Sequence, residues 1–163
     1  MVVRPTNKNM TVQVIKADPT GDQVMVSAQS SELKALGWKA ACGNMPAAYL
    51  TGLLIGTRAK AKGVNNAILD IGLSARGPGS RIFAAAKGAL DGGLAIPIDK
   101  KALPGEDRLR GDHIVNYSKL ISAQPEIYKK RFARYLKNNL KPEELQENFT
   151  DVQNRISTQG ANK

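Results

Sequence analysis

Two arginines flank a short turn in Arg76-Gly77-Pro78-Gly79-Ser80-Arg81, a set of residue types suited to holding phosphate. Glycine lets the backbone come close to an anion. A serine at a helix start can cap the first free amides or touch an oxygen, and a guanidinium forks onto two phosphate oxygens. If the turn opens a helix, the unpaired amides and the positive end of the helix dipole add to the attraction. The same residues also describe a tight turn with a capping serine and two solvated arginines. Phosphate contact is the favoured reading because the 163-residue chain carries 24 Lys and Arg against 14 Asp and Glu, a net charge of +10, which favours a polyanionic partner. The turn is not a mononucleotide P-loop, which needs a lysine and a hydroxyl residue directly after its last glycine.

A second basic set lies near the C-terminus. Lys129, Lys130, Arg131, Arg134, Lys137 and Lys141 share a stretch with no acidic residue, and Lys130, Arg134, Lys137 and Lys141 recur at helical spacing. Solvated helix faces usually mix signs, so binding to a phosphate backbone is favoured over a merely hydrated face. Arg108, Arg110 and His113 form a smaller cluster that Asp107 and Asp112 dilute. His113, the only histidine, could stack on a base or meet phosphate, although a lone histidine before a helix is more often a cap or a packing residue. Arg4 and Lys8 complete the candidate phosphate-binding residues.

Chemistry of other kinds finds little to work with. Catalysis through His113 would need a nucleophile or carboxylate within hydrogen-bond reach, and the sequence places none there. Asp70 is a carboxylate inside an apolar run, but a two-metal nuclease needs several converging acids, and only Asp91 and Asp99 are near in sequence. A structural hydrogen-bond acceptor is the simpler role for Asp70, and Cys42 and Trp38 read as core. With one cysteine, neither an internal disulfide nor a cysteine-built zinc site is possible, which suits a reducing compartment. No cofactor, metal or small-molecule substrate is expected. No secretory signal is visible, and the longest apolar run, 47–56, is too short to span a bilayer.

The elements that must position these residues centre on 44–81. Asn44 is a helix cap, Pro46 suits a first turn, and Gly63 suits a left-handed stop. Within that helix Ala48, Gly52, Gly56 and Ala59 form a stripe of small residues that would let another backbone press close. The run 67–71, closed by Gly72, reads as a buried strand covered on both faces, with the Arg76–Arg81 turn on the loop leaving it. Upstream, 2–5, 11–16 and 23–28 read as a three-stranded antiparallel hairpin or meander, followed by a short helix over 31–37. Downstream, the pattern gives a helix over 82–91, a short edge strand over 94–98 limited by Pro97, and a polar boundary over 99–112. The C-terminal third reads as helices over 113–121, 125–140 and 142–156, then a frayed tail.

The expected fold is thus α/β, a mixed sheet flanked by helices with a helical C-terminal extension. The division expected is a core at 1–98, a polar linker at 99–112 and the extension at 113–163. Residues 1–100 carry 12 basic and 6 acidic side chains and residues 101–163 carry 12 and 8, so both parts are expected to touch the polyanion.

Three separated motifs carry a resemblance. Residues 44–54 (NMPAAYLTGLL), 69–73 (LDIGL) and 79–97, from Gly79-Ser80-Arg81-Ile82-Phe83-Ala84 to Ile96-Pro97, resemble the archaeal and eukaryotic branch of the large-subunit ribosomal protein family that binds 5S ribosomal RNA. His113-Ile114, Tyr128-Lys129-Lys130-Arg131-Phe132 and Tyr135-Leu136-Lys137-Asn138 extend the similarity over essentially the whole chain. The resemblance implies a non-catalytic structural protein of the cytoplasmic ribosome, in the central protuberance of the large subunit. There it would help attach 5S RNA to the large-subunit RNA, beside another 5S-binding ribosomal protein. It also implies that the Arg76–Arg81 loop faces 5S RNA. Family members carry a strongly basic arm before the strand that begins here at Val2, and a version extended by such an arm is expected to bind more tightly and to be more stable. From a different class, the alternative is a phosphate-handling or nuclease-like enzyme on the same α/β core.

Overall fold

A computed structural model of the chain describes residues 1–73 and 77–161. In Met10–Lys16 (β2), Met10, Val12 and Val14 are buried while Thr11, Gln13 and Ile15 alternate with them on the other face, the period of a strand with one covered side. β2 pairs antiparallel with Val2–Pro5 (β1), Val3 opposite Val12, and with Gln23–Gln29 (β3), Val14 opposite Val26. The order β1-β2-β3 is the expected meander. The outer edge of β3 is occupied by side chains of the following helix. Arg58 donates to the Ser27 carbonyl and Lys62 to that of Met25, each at 2.9 Å, which removes acceptors a foreign strand would use.

Met45–Ala61 (α1) starts as expected, with Asn44 Oδ1 accepting from the Ala47 amide at 3.0 Å, and Gly63 beyond its end is left-handed at φ +73°. Thirteen of its 17 residues are buried, so it lies inside the molecule rather than on its surface. The small-residue stripe has a partner. Arg81–Asp91 (α2) runs beside α1 in the same direction, Gly52 against Ala85 and Gly56 against Ala89, while Gly88 and Gly92 face Tyr49 and Leu53. A Cβ on Gly56 would stand 2.5 Å from the Ala89 carbonyl oxygen and one on Gly92 2.8 Å from that of Leu53. The two backbones are therefore in contact, which no larger residue at these positions would permit.

The expected strand at 67–71 is corrected. Its residues are half-buried or exposed, Ile68 at 78%, and among the described residues it pairs through one parallel bridge, Asp70 with Val2, with a second just before it, Asn66 with Ala95. Ala95 belongs to the stretch expected as an edge strand at 94–98, which makes no more than this bridge. The first segment flanks β1 at the margin of the sheet and the second pairs with it beyond, both through parallel bridges, so the pairing is mixed in direction. Asp70 is an acceptor, as expected, taking the Gly72 amide at 2.8 Å.

The polar stretch 99–112 holds more structure than its composition suggests. A 3-10 turn at Lys100–Ala102 leads to Glu106–Arg110 (α3), whose Leu109 is buried at 1% exposure and fixes the segment to the core. Asp112–Ile121 (α4) follows. The single helix expected over 125–140 is broken at Phe132 into Pro125–Arg131 (α5) and Ala133–Lys137 (α6). The break falls where Phe132, 5% exposed, turns inward among Tyr117, Tyr128 and Tyr135. A 3-10 turn at Pro142–Glu144 opens Leu145–Ala161 (α7), which runs beyond 156 into the stretch expected to fray. Leu145, Phe149, Val152 and Ile156 of α7 join the same hydrophobic cluster as β1, β2 and α1, with Phe149 stacked near Tyr49 at 5.7 Å. Trp38 and Cys42 are core, at 2% and 0% exposure.

Candidate nucleic-acid interface

Because α1 and α2 run in the same direction, their N-termini lie at one end of the molecule. The β1–β2 turn reaches the same place. Arg81 Nη1 donates to the Thr6 carbonyl at 3.0 Å and to the Gly43 carbonyl at 2.6 Å, tying the turn, the start of α1 and the start of α2 together. The basic helix α6 docks here as well, and α5 leads into it. Asn44 Nδ2 reaches Tyr135 Oη at 3.5 Å, and Asn138 Nδ2 donates to the Lys39 carbonyl at 2.7 Å. Arg134 is near enough to Cys42 to oppose the rise that burial imposes on its thiol. Residues separated by up to 129 positions in sequence are thereby gathered at one end: Lys8, Gly79, Ser80, Arg81, Arg134 and Lys137.

Around the turn, Gly79 is left-handed at φ +73° and donates its amide to the Ala102 carbonyl at 2.8 Å, so a side chain there would strain the backbone. Gly77 and Gly79 face open space: an added Cβ would meet nothing within 4 Å. Ser80 occupies the N-cap position of α2, but its hydroxyl does not cap; Oγ is buried and has no partner among the described residues. Arg76 lies outside the described residues. Arg81 differs from its expected character as a loop residue with little structural part. It is the first residue of α2, and its guanidinium braces two other segments. Arg81→Ala is therefore expected to lower stability by about 1.5–3 kcal/mol, the range for hydrogen bonds made by charged groups, read as a shift in urea unfolding. Wild-type stability in that variant would show that the brace contributes nothing.

Lys129, Lys130, Arg131, Arg134 and Lys137 are all exposed. Among the described residues only two ion pairs form, Arg58 with Glu32 and Lys87 with Asp91, so this stretch presents its charge to solvent. Arg4, on β1, and Lys8, in the turn, are exposed too. The Arg108 cluster is placed differently. Arg110 lines a recess of about 600 Å³ with Glu106, Asp107, Asp112, Glu147 and Asp151, where five carboxylates would repel a phosphate.

His113 is held below its ordinary pKa by burial, with Arg108 pushing the same way and Asp112 opposing. It is thus neutral at neutral pH, and its Nδ1 is buried without a partner among the described residues, an environment of packing rather than of cationic contact. The unfolded imidazole takes up a proton more readily than the folded one, so this group's contribution to stability is present above its unfolded pKa and is lost as pH falls. His113→Gln is expected to shrink the drop in urea midpoint between about pH 7.5 and about pH 5. An identical drop in both proteins would show that the residue is not strained by protonation.

Lys39, Asn44, Tyr135 and Asn138 were not legible as parts of this end. Their contacts span 91 and 99 positions, and no local spacing signals them. Among the described residues no set of His, Cys, Asp or Glu side chains converges as a metal-dependent enzyme would need. An apolar recess of about 970 Å³ is walled by residues such as Val14, Met25, Leu90 and Ile96, with Lys16 the one charged side chain among its described lining. No helix among the described residues is long and apolar enough to cross a membrane.

Comparison with known proteins converges with this geometry. The family model described as "Ribosomal large subunit proteins 60S L5, and 50S L18" matches residues 1–65 and 58–99. The chain is 48% identical over 157 residues to the large ribosomal subunit protein uL18 of Thermofilum pendens, covering 96% of this chain and 80% of that protein. It is 45% identical over 163 residues to the uL18 protein of Sulfurisphaera tokodaii, covering 99% and 83%. Similarity of this extent sets aside the nuclease-like alternative: the chain belongs to the family of ribosomal large-subunit proteins 60S L5 and 50S L18, structural components of the cytoplasmic ribosome that associate with ribosomal RNA.

Proposed function

We propose that the basic end of this protein binds 5S ribosomal RNA and helps attach it to large-subunit RNA in the central protuberance, beside another 5S-binding ribosomal protein. The observation that carries the reading is the convergence of Lys8, the Gly77–Arg81 turn and the α6 cations Arg134 and Lys137 at the N-termini of α1 and α2, with the α5 cations continuing from them. Phosphates there would meet free helix amides as well as side-chain charge. In this reading residues 1–98 supply the sheet and the paired helix ends, 113–163 supply the basic helices, and 99–112 connect them. Arg81, engaged in bracing, positions the turn, while Gly77, Gly79 and Ser80 provide the approach. Arg110 lines the acidic recess and His113 is packed and neutral, so with Arg108 they contribute least.

The test is competition at fixed salt. Labelled 5S RNA bound to the protein should resist displacement by an unrelated structured RNA of equal length and yield to unlabelled 5S RNA. Equal displacement by the two competitors would reduce the interaction to general polyanion binding.

A further inference from the structure

Of the eight aromatic side chains in the sequence, seven are buried or half-buried and one, Tyr117, is exposed, at 41%. Its ring lies 6.2 Å from that of Phe132, which also touches Tyr128 at 5.3 Å and Tyr135 at 5.5 Å. Phe132 is the buried hub. Tyr128 is fixed by donating its hydroxyl to Glu143 at 3.0 Å, and Tyr135 is joined to Asn44 at the start of α1. Tyr117 is thus a braced ring with an open side, attached through Phe132 to the basic end.

Its surroundings favour one kind of ligand. Between Asp112 and Glu143 the chain carries a single acid, Glu126, against Lys119, Lys129, Lys130, Arg131, Arg134, Lys137 and Lys141. One turn along α4 Leu120 is 78% exposed, so Tyr117 has an apolar neighbour, with Lys119 on the same helix and Lys129, Lys130 and Arg131 on α5, which packs against α4; the Glu143 carboxylate lies on the side of Ser118 and Tyr128. A flat, apolar face bordered by positive charge matches a nucleobase whose flanking phosphates reach the rim. An unpaired base supplies such a face; a stacked base in a helix does not.

We propose that Tyr117 is a stacking platform for an unpaired nucleobase of the bound RNA, at the margin of the phosphate-binding surface. The proposal rests on the RNA-binding function above and adds a contact to a base where the other residues meet phosphate. Phe132 and its neighbours hold the ring in place, so little side-chain freedom is lost when the base arrives.

The test uses the full chain and 5S RNA. Tyr117→Leu keeps an apolar contact with Phe132 but removes the aromatic face, and is expected to weaken binding by about 5- to 150-fold, with the slope of affinity against salt unchanged because no cation is lost. Tyr117→Phe should bind like wild type. In Tyr117→Trp the new indole emission should be quenched on adding RNA, against the steady background of Trp38, which is 2% exposed. Wild-type affinity in Tyr117→Leu, or retained RNA binding without quenching in Tyr117→Trp, would overturn the platform while leaving the RNA-binding function standing, and would mark Tyr117 and Leu120 as a protein contact. Failure of the wild-type protein to bind 5S RNA would remove both.

Discussion

Gly52→Ala and Gly88→Ala should each cost about 3 kcal/mol or more, the upper part of the range for overpacking a closed core and beyond it. At both positions the added carbon would lie far inside the van der Waals contact distance of a carbonyl oxygen on the facing helix, Ala85 for Gly52 and Tyr49 for Gly88. Backbone cannot swing aside as a flexible side chain can. The helices would have to separate, and with them the two N-termini that form the basic end. Against a typical total stability of about 5–15 kcal/mol, such a loss leaves a protein close to unfolding. Gly77→Ala, where the same atom meets nothing within 4 Å, should unfold within about 0.5 kcal/mol of wild type. Urea denaturation of the three variants checks this. A wild-type midpoint for Gly52→Ala would mean that the helices are not in backbone contact.

Replacing Lys130, Arg134 and Lys137 together with glutamine should flatten the dependence of log affinity on log salt by about 2–3 units if each meets one phosphate. All three are exposed, so the substitutions should leave unfolding by urea nearly unchanged. This separates them from Arg81→Ala, whose loss of binding would carry a loss of stability with it. An unchanged slope in the triple variant would mean that the face is only hydrated.

The parts of the fold legible in the sequence are those set by local rules. Asn44, Pro46 and Gly63 bound α1 because a cap, a first-turn proline and a left-handed stop act within one turn of the residues they serve. The alternation in Met10–Lys16 marks one covered face, as the buried Met10, Val12 and Val14 show. The segment 67–71 misleads because a short apolar run looks alike whether it is sandwiched or marginal. Ala67 and Leu69 are half-buried against the core, Ile68 and Ile71 face outward, and composition cannot distinguish the two.

The break at Phe132 follows from tertiary packing. Helical spacing continues through it, but the ring's position among three tyrosines overrides the local pattern. Ser80 shows the converse: a serine in the right place and with the right backbone leaves the first amides of α2 without a side-chain cap. The basic residues were legible as two groups from charge and spacing. That they share one end depends on α1 and α2 running in the same direction and on Arg81 joining three segments, which only the folded chain reveals.

The most direct measurement is lysine acetylation of the protein, free and bound to 5S RNA, read residue by residue by mass spectrometry. Lys8, Lys129, Lys130 and Lys137 are exposed and should react in the free protein. In the complex they should be protected, while Lys16, beside the apolar recess at the far end of β2, should react as before. Undiminished reaction at Lys129, Lys130 and Lys137 in a complex that demonstrably contains 5S RNA would contradict the assignment of the RNA surface to this end of the molecule.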